Sequence, residues 1–194
     1  MRLRITVILF AVALALAGYT LGQAVFTEFT GTEAAGGYPD FSTTIIKCPG
    51  GEPTGAVFPS PCTPAESRVH IRGAVFPYIL VTDDPRLTGA EEVTMNGNFD
   101  GWKGEIGPGS GEMWGTLRIV VMEGTPTEGI WEGVWTGTRT VNADNTVQSV
   151  IHAVAHGTEG SVEGLQANWN VTLDPVSNVG VCQGRILAPP RKGR

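Results

Sequence analysis

The stretch from Gly111 to Gly137 constrains this chain more than any other, because Trp114, Trp131 and Trp135 stand there among Gly111, Gly115, Gly124, Gly129, Gly133 and Gly137. From Ile130 to Thr138 the residues divide into two faces, Trp131, Gly133, Trp135 and Gly137 against Ile130, Glu132, Val134 and Thr136. A large-small-large-small series suits the narrow, tapering interior of a small β-barrel, and its glycines let the strand coil sharply. Just before it, Met113 to Met122 alternates as well, with Met113, Gly115, Leu117, Ile119 and Val121 inward and Trp114, Thr116 and Arg118 outward. The turn Glu123 to Glu128 joins the two segments, so the stretch reads as a β-hairpin that sets barrel curvature.

The same period of two recurs on both sides. Val69 to Thr82 is β-branched and aromatic but carries Gly73 and Pro77, which predicts an edge-like or bulged strand. Asp83-Asp84-Pro85-Arg86-Leu87-Thr88-Gly89 is turn chemistry, in which an Asp84 carboxylate caps its own turn. Glu91 to Phe99 places Val93, Met95, Gly97 and Phe99 on one face and Glu92, Thr94, Asn96 and Asn98 on the other. Asp100 to Gly111 is a glycine-rich loop. Val147 to His156 also fits a helical spacing, but its β-branched residues and the closing Gly157 favour a strand. Leu165, Ala167, Trp169, Val171 and Leu173 alternate against Gln166, Asn168, Asn170 and Thr172, Asp174-Pro175 stops that strand, and Val179 to Leu187 is the last. The expected fold is all-β: a single antiparallel barrel of about eight short strands over residues 68–188, with a sandwich of the same spacing as the alternative. With 194 residues, 27 glycines and only 16% charged residues, one such domain is the natural size.

Ahead of it lie two different segments. Arg2 and Arg4, the apolar run Ile5 to Ala17 and the small residues of Gly22-Gln23-Ala24 make residues 1–24 a signal peptide, with cleavage after Ala24 and Gly22 as the second choice. The run is shorter than the ~20 residues a spanning helix needs, so no stable membrane insertion is expected after cleavage. Residues 25–67 hold six of the thirteen prolines and read as an irregular arm with at most one short strand near Phe41 to Lys47. Export makes a disulfide available, and Cys48 and Cys62 bracket a Pro/Gly-rich loop with little else to hold it. Cys182 is then a buried small apolar side chain, with a Cys62 to Cys182 pairing as the alternative. Loss of the leader removes two arginines and no acids, taking the formal charge from -6 to -8. An acidic exported domain has no electrostatic reason to seek nucleic acid or an anionic membrane, and residues 189–194 with Arg191, Lys192 and Arg194 are a solvated basic tail.

Catalytic constellations are not evident. His152 and His156 are four apart, which on a strand means one face but ~13 Å of separation, too far for one metal ion. No Gly-X-Ser-X-Gly elbow or phosphate cradle occurs, and no cofactor is expected. Acid–base work of the glycosidase type needs two carboxylates facing one cavity, and the faces assigned inward carry none, since Glu92 and Glu132 fall on the opposite side. What is left is an apolar interior lined by Met95, Phe99, Met113, Leu117, Trp131, Trp135 and Trp169. Two interiors satisfy that pattern: a solid core, or a cavity for a small hydrophobic or aromatic ligand with Trp131, Trp135, Trp169, Met95, Phe99 and Leu117 as its wall.

Asp84-Pro85-Arg86-Leu87-Thr88-Gly89, Trp114-Gly115-Thr116, Trp131 to Gly137, His156-Gly157-Thr158 and Glu163-Gly164-Leu165-Gln166-Ala167 together resemble the pattern of exported bacterial proteins of the allene oxide cyclase-like barrel group, which is similar in fold to the dirigent proteins. The resemblance covers residues 69 to 187 and implies a barrel, with oligomerisation through one barrel face open to it; no catalytic residue of the cyclases maps onto a position here. The expected protein is a secreted or periplasmic, non-enzymatic small barrel with a hydrophobic ligand. A cyclase or isomerase that steers a reactive apolar substrate by shape, and a cell-surface structural module, are the alternatives.

Overall fold

The computed structural model describes residues 24–122, 124–174 and 179–190. The signal peptide expected at 1–24, apart from Ala24, and the basic side chains of the tail lie outside the described residues. Eight long strands carry the fold: β1 (Val25–Ala35), β5 (Val69–Thr82), β6 (Gly89–Phe99), β7 (Gly111–Val121), β8 (Gly129–Val141), β9 (Val147–Gly160), β10 (Gln166–Asp174) and β11 (Val179–Ala188). Three short ones, β2 (Ile45–Lys47), β3 (Glu52–Pro53) and β4 (Cys62–Thr63), lie between β1 and β5. Successive long strands pair antiparallel from β5 to β11, and β1 pairs with both β11 and β5, which closes an eight-stranded ring. Closure leaves no long sheet edge in the barrel.

The closing strand is a correction to the expected irregular arm. Residues 25–35 belong to the barrel: Val25 pairs with Ala188 at one end, and Gly31 to Ala35 pair with Thr82 to Tyr78 at the other. Hydrophobic alternation did not mark β1 because its buried positions are Phe29 and Glu33, one apolar and one acidic. The remainder of the arm, from Gly36 on, is irregular apart from β2, β3 and β4. Cys48 and Cys62 form the expected disulfide across it, and Cys182 is free and buried.

β5 is one bulged strand. Gly73 takes φ +74° and shifts the register between Ile71 and Ala74, so Val69 and Ile71 are buried before it and Ala74 and Leu80 after it. A left-handed residue is readily supplied only by glycine. The N-terminal part of β5 pairs with β2 and the C-terminal part with β1; Pro77, which has no N–H to give, lies between these two pairings.

The hairpin β7–β8 has the faces its sequence predicts. Met113, Leu117, Ile119 and Val121 are buried on β7, Trp131 and Trp135 on β8, and Arg118, Glu132 and Thr136 are exposed. Gly115 lies opposite Trp135, and a β-carbon there would meet Thr94 O and approach Trp135 Nε1 at 3.0 Å. Glycine at 115 therefore lets the indole lie against the neighbouring strand.

Candidate functional site

Eight strands enclose an interior that side chains just fill or that holds one small ligand, and here each half of the barrel takes one of these options. At the end where β5 turns into β6, Leu80, Leu87, Ile119, Val121, Trp131, Val162 and Ile186 have at most 1% of their surface exposed. The Asp84 carboxylate shapes this end. It accepts from Arg86 N at 3.0 Å and pairs with the guanidinium at 2.6 Å, which holds its carboxyl below the ordinary carboxylate range. The turn so fixed, Pro85–Leu87, drives Leu87 into the barrel and presents Arg86 O to the indole N–H of Trp131, which donates to it at 2.7 Å. Trp131 is thereby part of a solid plug.

Towards the other end lies a cavity of about 230 Å³. Its wall includes Met95, Phe99, Leu117, Trp135 and Trp169 together with Phe76, Val93, Met113, Ile151 and Val171. Ile106 and Pro108 of the loop between β6 and β7, with Leu173 and Arg139, line it near the strand ends. Several of these inward side chains, among them Phe76, Val93, Met95, Ile151 and Leu173, are only half-buried, so a water-sized space reaches them. Five of the six expected ligand-wall residues therefore line one cavity. Trp131 does not: it shares a face with Trp135 but sits four residues further along β8, ~13 Å at the strand rise, inside the plug.

The interior also holds what the sequence reading excluded, two carboxyl groups. Glu33 from β1 and Glu91 from β6 both line the cavity and keep only 5% and 4% of their surface exposed. Tyr78 lies directly opposite Glu91 across the β5–β6 pairing and lines the cavity beside it. Glu91 was legible: it has the same parity as Val93 and Met95, the face assigned inward. Glu33 has no such signal, because β1 lacks the apolar alternation that marks a strand. Burial pushes the Glu33 carboxyl up to about 7, and burial with the charge of Glu33 raises Glu91 well above the ordinary value. Tyr78 is pushed up to about 12 by burial and by both carboxylates. The Cys182 thiol goes up to about 12 for the same reasons, burial first, which keeps it protonated and unreactive.

Two of the lining residues carry a polar atom with no partner among the described residues. Glu91 Oε2 and Trp135 Nε1 are both shut off from the surface without a hydrogen bond among the described residues. Arg139, by contrast, is committed, since its guanidinium donates to Pro108 O at 2.9 Å and Ile106 O at 2.6 Å and so fastens the loop at the cavity end. Burial lowers its pKa from the ordinary value.

The two histidines lie on the outer face of β9, where His152 Nδ1 and Asn170 Oδ1 are 3.0 Å apart and His156 is exposed. Glu92 and Glu132 are outside as well, exposed on β6 and β8. No group of three or more metal-ligating side chains occurs among the described residues. No helix among them is long and apolar enough to cross a membrane. No family model, curated protein or solved structure matches the chain.

Proposed function

We propose that the protein is an exported, non-enzymatic β-barrel that holds one small hydrophobic or aromatic ligand inside the ring. The observation that carries this is the cavity of about 230 Å³ with Trp135, Trp169, Phe76 and Phe99 in its wall. An apolar pocket with a few convergent polar groups is the usual form of a small-molecule site. An apolar cavity of ~150 Å³ takes up benzene, so the space of about 230 Å³ here fits a molecule of about nine non-hydrogen atoms. The resemblance to allene oxide cyclase-like barrels supports the same reading, and the disulfide fits an oxidising compartment.

Titration of tryptophan fluorescence with fatty acids, terpenoids, phenolics and arylalkyl compounds tests it, because two of the tryptophans form the wall. A saturable change with at least one class, accompanied by a higher melting temperature, is the expected result. A full set of compounds that leaves both emission and melting temperature unchanged would refute the proposal.

The buried carboxyl groups favour a second reading, an isomerase or cyclase that uses the cavity to fold a reactive apolar substrate and Glu91 to hold or move a proton. Its signature would be product with a stereochemical excess that buffer alone does not give and that Glu91→Gln abolishes.

A further inference from the structure

We propose that the ligand is a small hydrophobic amine, bound as its ammonium ion between Glu33 and Glu91 with its hydrocarbon part against Trp135 and Trp169. This rests on the reading of the barrel as a binding protein and names the class of ligand. Four observations point to it.

First, the charge inside the cavity is unbalanced at one place. Glu33 and Glu91 act on each other electrostatically, and no described Lys, Arg or His makes an ion pair with either; Arg86 of the β5–β6 turn is already paired with Asp84. Burying carboxyl groups without a counter-charge is expensive, and a bound cation removes that expense. Second, Glu91 lines the cavity and its Oε2 is buried with no hydrogen-bond partner among the described residues, so a donor that reaches this oxygen would complete its hydrogen bonding. Third, Phe76, Tyr78, Trp135 and Trp169 give the wall aromatic faces, which attract an ammonium more than they attract a neutral group of the same shape. Fourth, the carboxyl pair repels a carboxylate whenever it is ionised and never attracts one, so a cationic head is favoured over an anionic head on the same chain.

The groups that titrate or carry charge around this interior come from five strands: Glu33 from β1, Tyr78 from β5, Glu91 from β6, Arg139 from β8 and Cys182 from β11. Tyr78 and Cys182 stay neutral through the physiological range, and Arg139 is engaged by the loop carbonyls. The carboxyl pair is thus the group whose protonation changes on binding. An arriving ammonium displaces a proton from the pair, and binding strengthens as the pH rises.

Isothermal titration of the mature protein with 2-phenylethylamine, 2-phenylethanol, ethylbenzene and phenylacetate tests the proposal, since the four differ in charge and hydrogen bonding but little in size. The amine is expected to bind about tenfold or more tightly than the alcohol or ethylbenzene, with phenylacetate undetectable. Its affinity should rise between about pH 6 and about pH 8. Glu91→Gln and Glu33→Gln should each weaken amine binding by more than they weaken 2-phenylethanol binding, so that the affinity ratio of the two compounds falls towards one. Equal binding of amine and neutral compounds overturns the amine assignment and leaves the binding reading standing. Binding of none of them, together with no effect of the broader compound set, overturns both. If either variant does not fold, the affinity order and pH dependence of the unaltered protein decide the matter.

Discussion

Glu91 and Trp131 show how differently two inward-facing side chains of one barrel can be treated. The indole N–H of Trp131 has Arg86 O at 2.7 Å and its ring is wholly enclosed, whereas Trp135 Nε1 has no partner among the described residues and its side chain borders open space. Trp131→Phe leaves the Arg86 carbonyl unpaired in the plug, which costs about 1–3 kcal/mol. A lower urea midpoint with ligand titration unchanged is the expected outcome. Trp135→Phe should do the reverse, a small change in stability and a clear change in ligand affinity. For the carboxyl pair the sign of the pH effect follows from the direction of the shifts. Glu33 rises from 4.5 to about 7 and Glu91 also rises, so the folded protein holds these protons more tightly than the unfolded chain does. Their contribution is full below the ordinary carboxyl value and is lost as the pH climbs through the raised values. Between about pH 5 and about pH 8 the unliganded protein should lose on the order of a few kcal/mol. Glu91→Gln should flatten that dependence and be the more stable form at the upper end, as urea titrations at both pH values would show. Asp84 acts in the opposite sense, since its lowered pKa contributes stability that disappears only in acid.

Among the elements, β1 decides the most. It is hydrogen-bonded on both sides, to β11 along its whole length and to β5 over Gly31 to Ala35, and it brings Glu33 into the cavity. Thr32 sits where both partners are present, opposite Val181 and Val81. Thr32→Pro removes a ladder hydrogen bond and should cost about 3 kcal/mol or more; denaturant unfolding and the onset of aggregation, as the ring edges open, would report it. The turn Pro85–Leu87 has an equally definite effect, because its 3-10 geometry buries Leu87 and gives the Trp131 indole its acceptor, the Arg86 carbonyl. The loop Asp100–Ser110, tied down by Arg139, lines the opposite end with Ile106 and Pro108.

At the scale of the molecule, the barrel and the disulfide-bearing segment are distinct in what they hold. Cys48 and Cys62 bridge 14 positions outside the ring, beside the β3–β4 hairpin, yet both pack into the same core cluster as Ile71 and Trp102. Reduction, or Cys48→Ala with Cys62→Ala, should cost about 3 kcal/mol on the loop-closure estimate. The far-ultraviolet circular dichroism should stay that of a β-barrel, because none of the eight ring strands depends on this bridge. Loss of the β signal would show instead that the segment is part of the barrel's own folding unit.

Alternation placed β6, β7, β8 and β10 and set the inward faces of β7, β8 and β10, because a strand packed on one face writes its burial into the sequence with period two; β-branched composition placed β5 and β9, and turn chemistry assigned Asp84 to its own turn. The loop cysteines likewise pointed to each other through the Pro/Gly-rich stretch they enclose. What alternation could not carry was any strand whose inward face is polar. β1 offers Phe29 and Glu33 where a core strand would offer two apolar residues, so it read as irregular and its carboxylate went unseen. Trp131 and Trp135 have the same parity and the same chemistry. Only the turn that buries Leu87 and bonds Arg86 O to Trp131, and the open space bordered by Trp135 with Ile106 and Pro108 of a distant loop, decided that the first is core and the second a wall. Periodicity reports which side of a sheet a residue faces, whereas whether that side is filled or hollow depends on which distant segments reach into it.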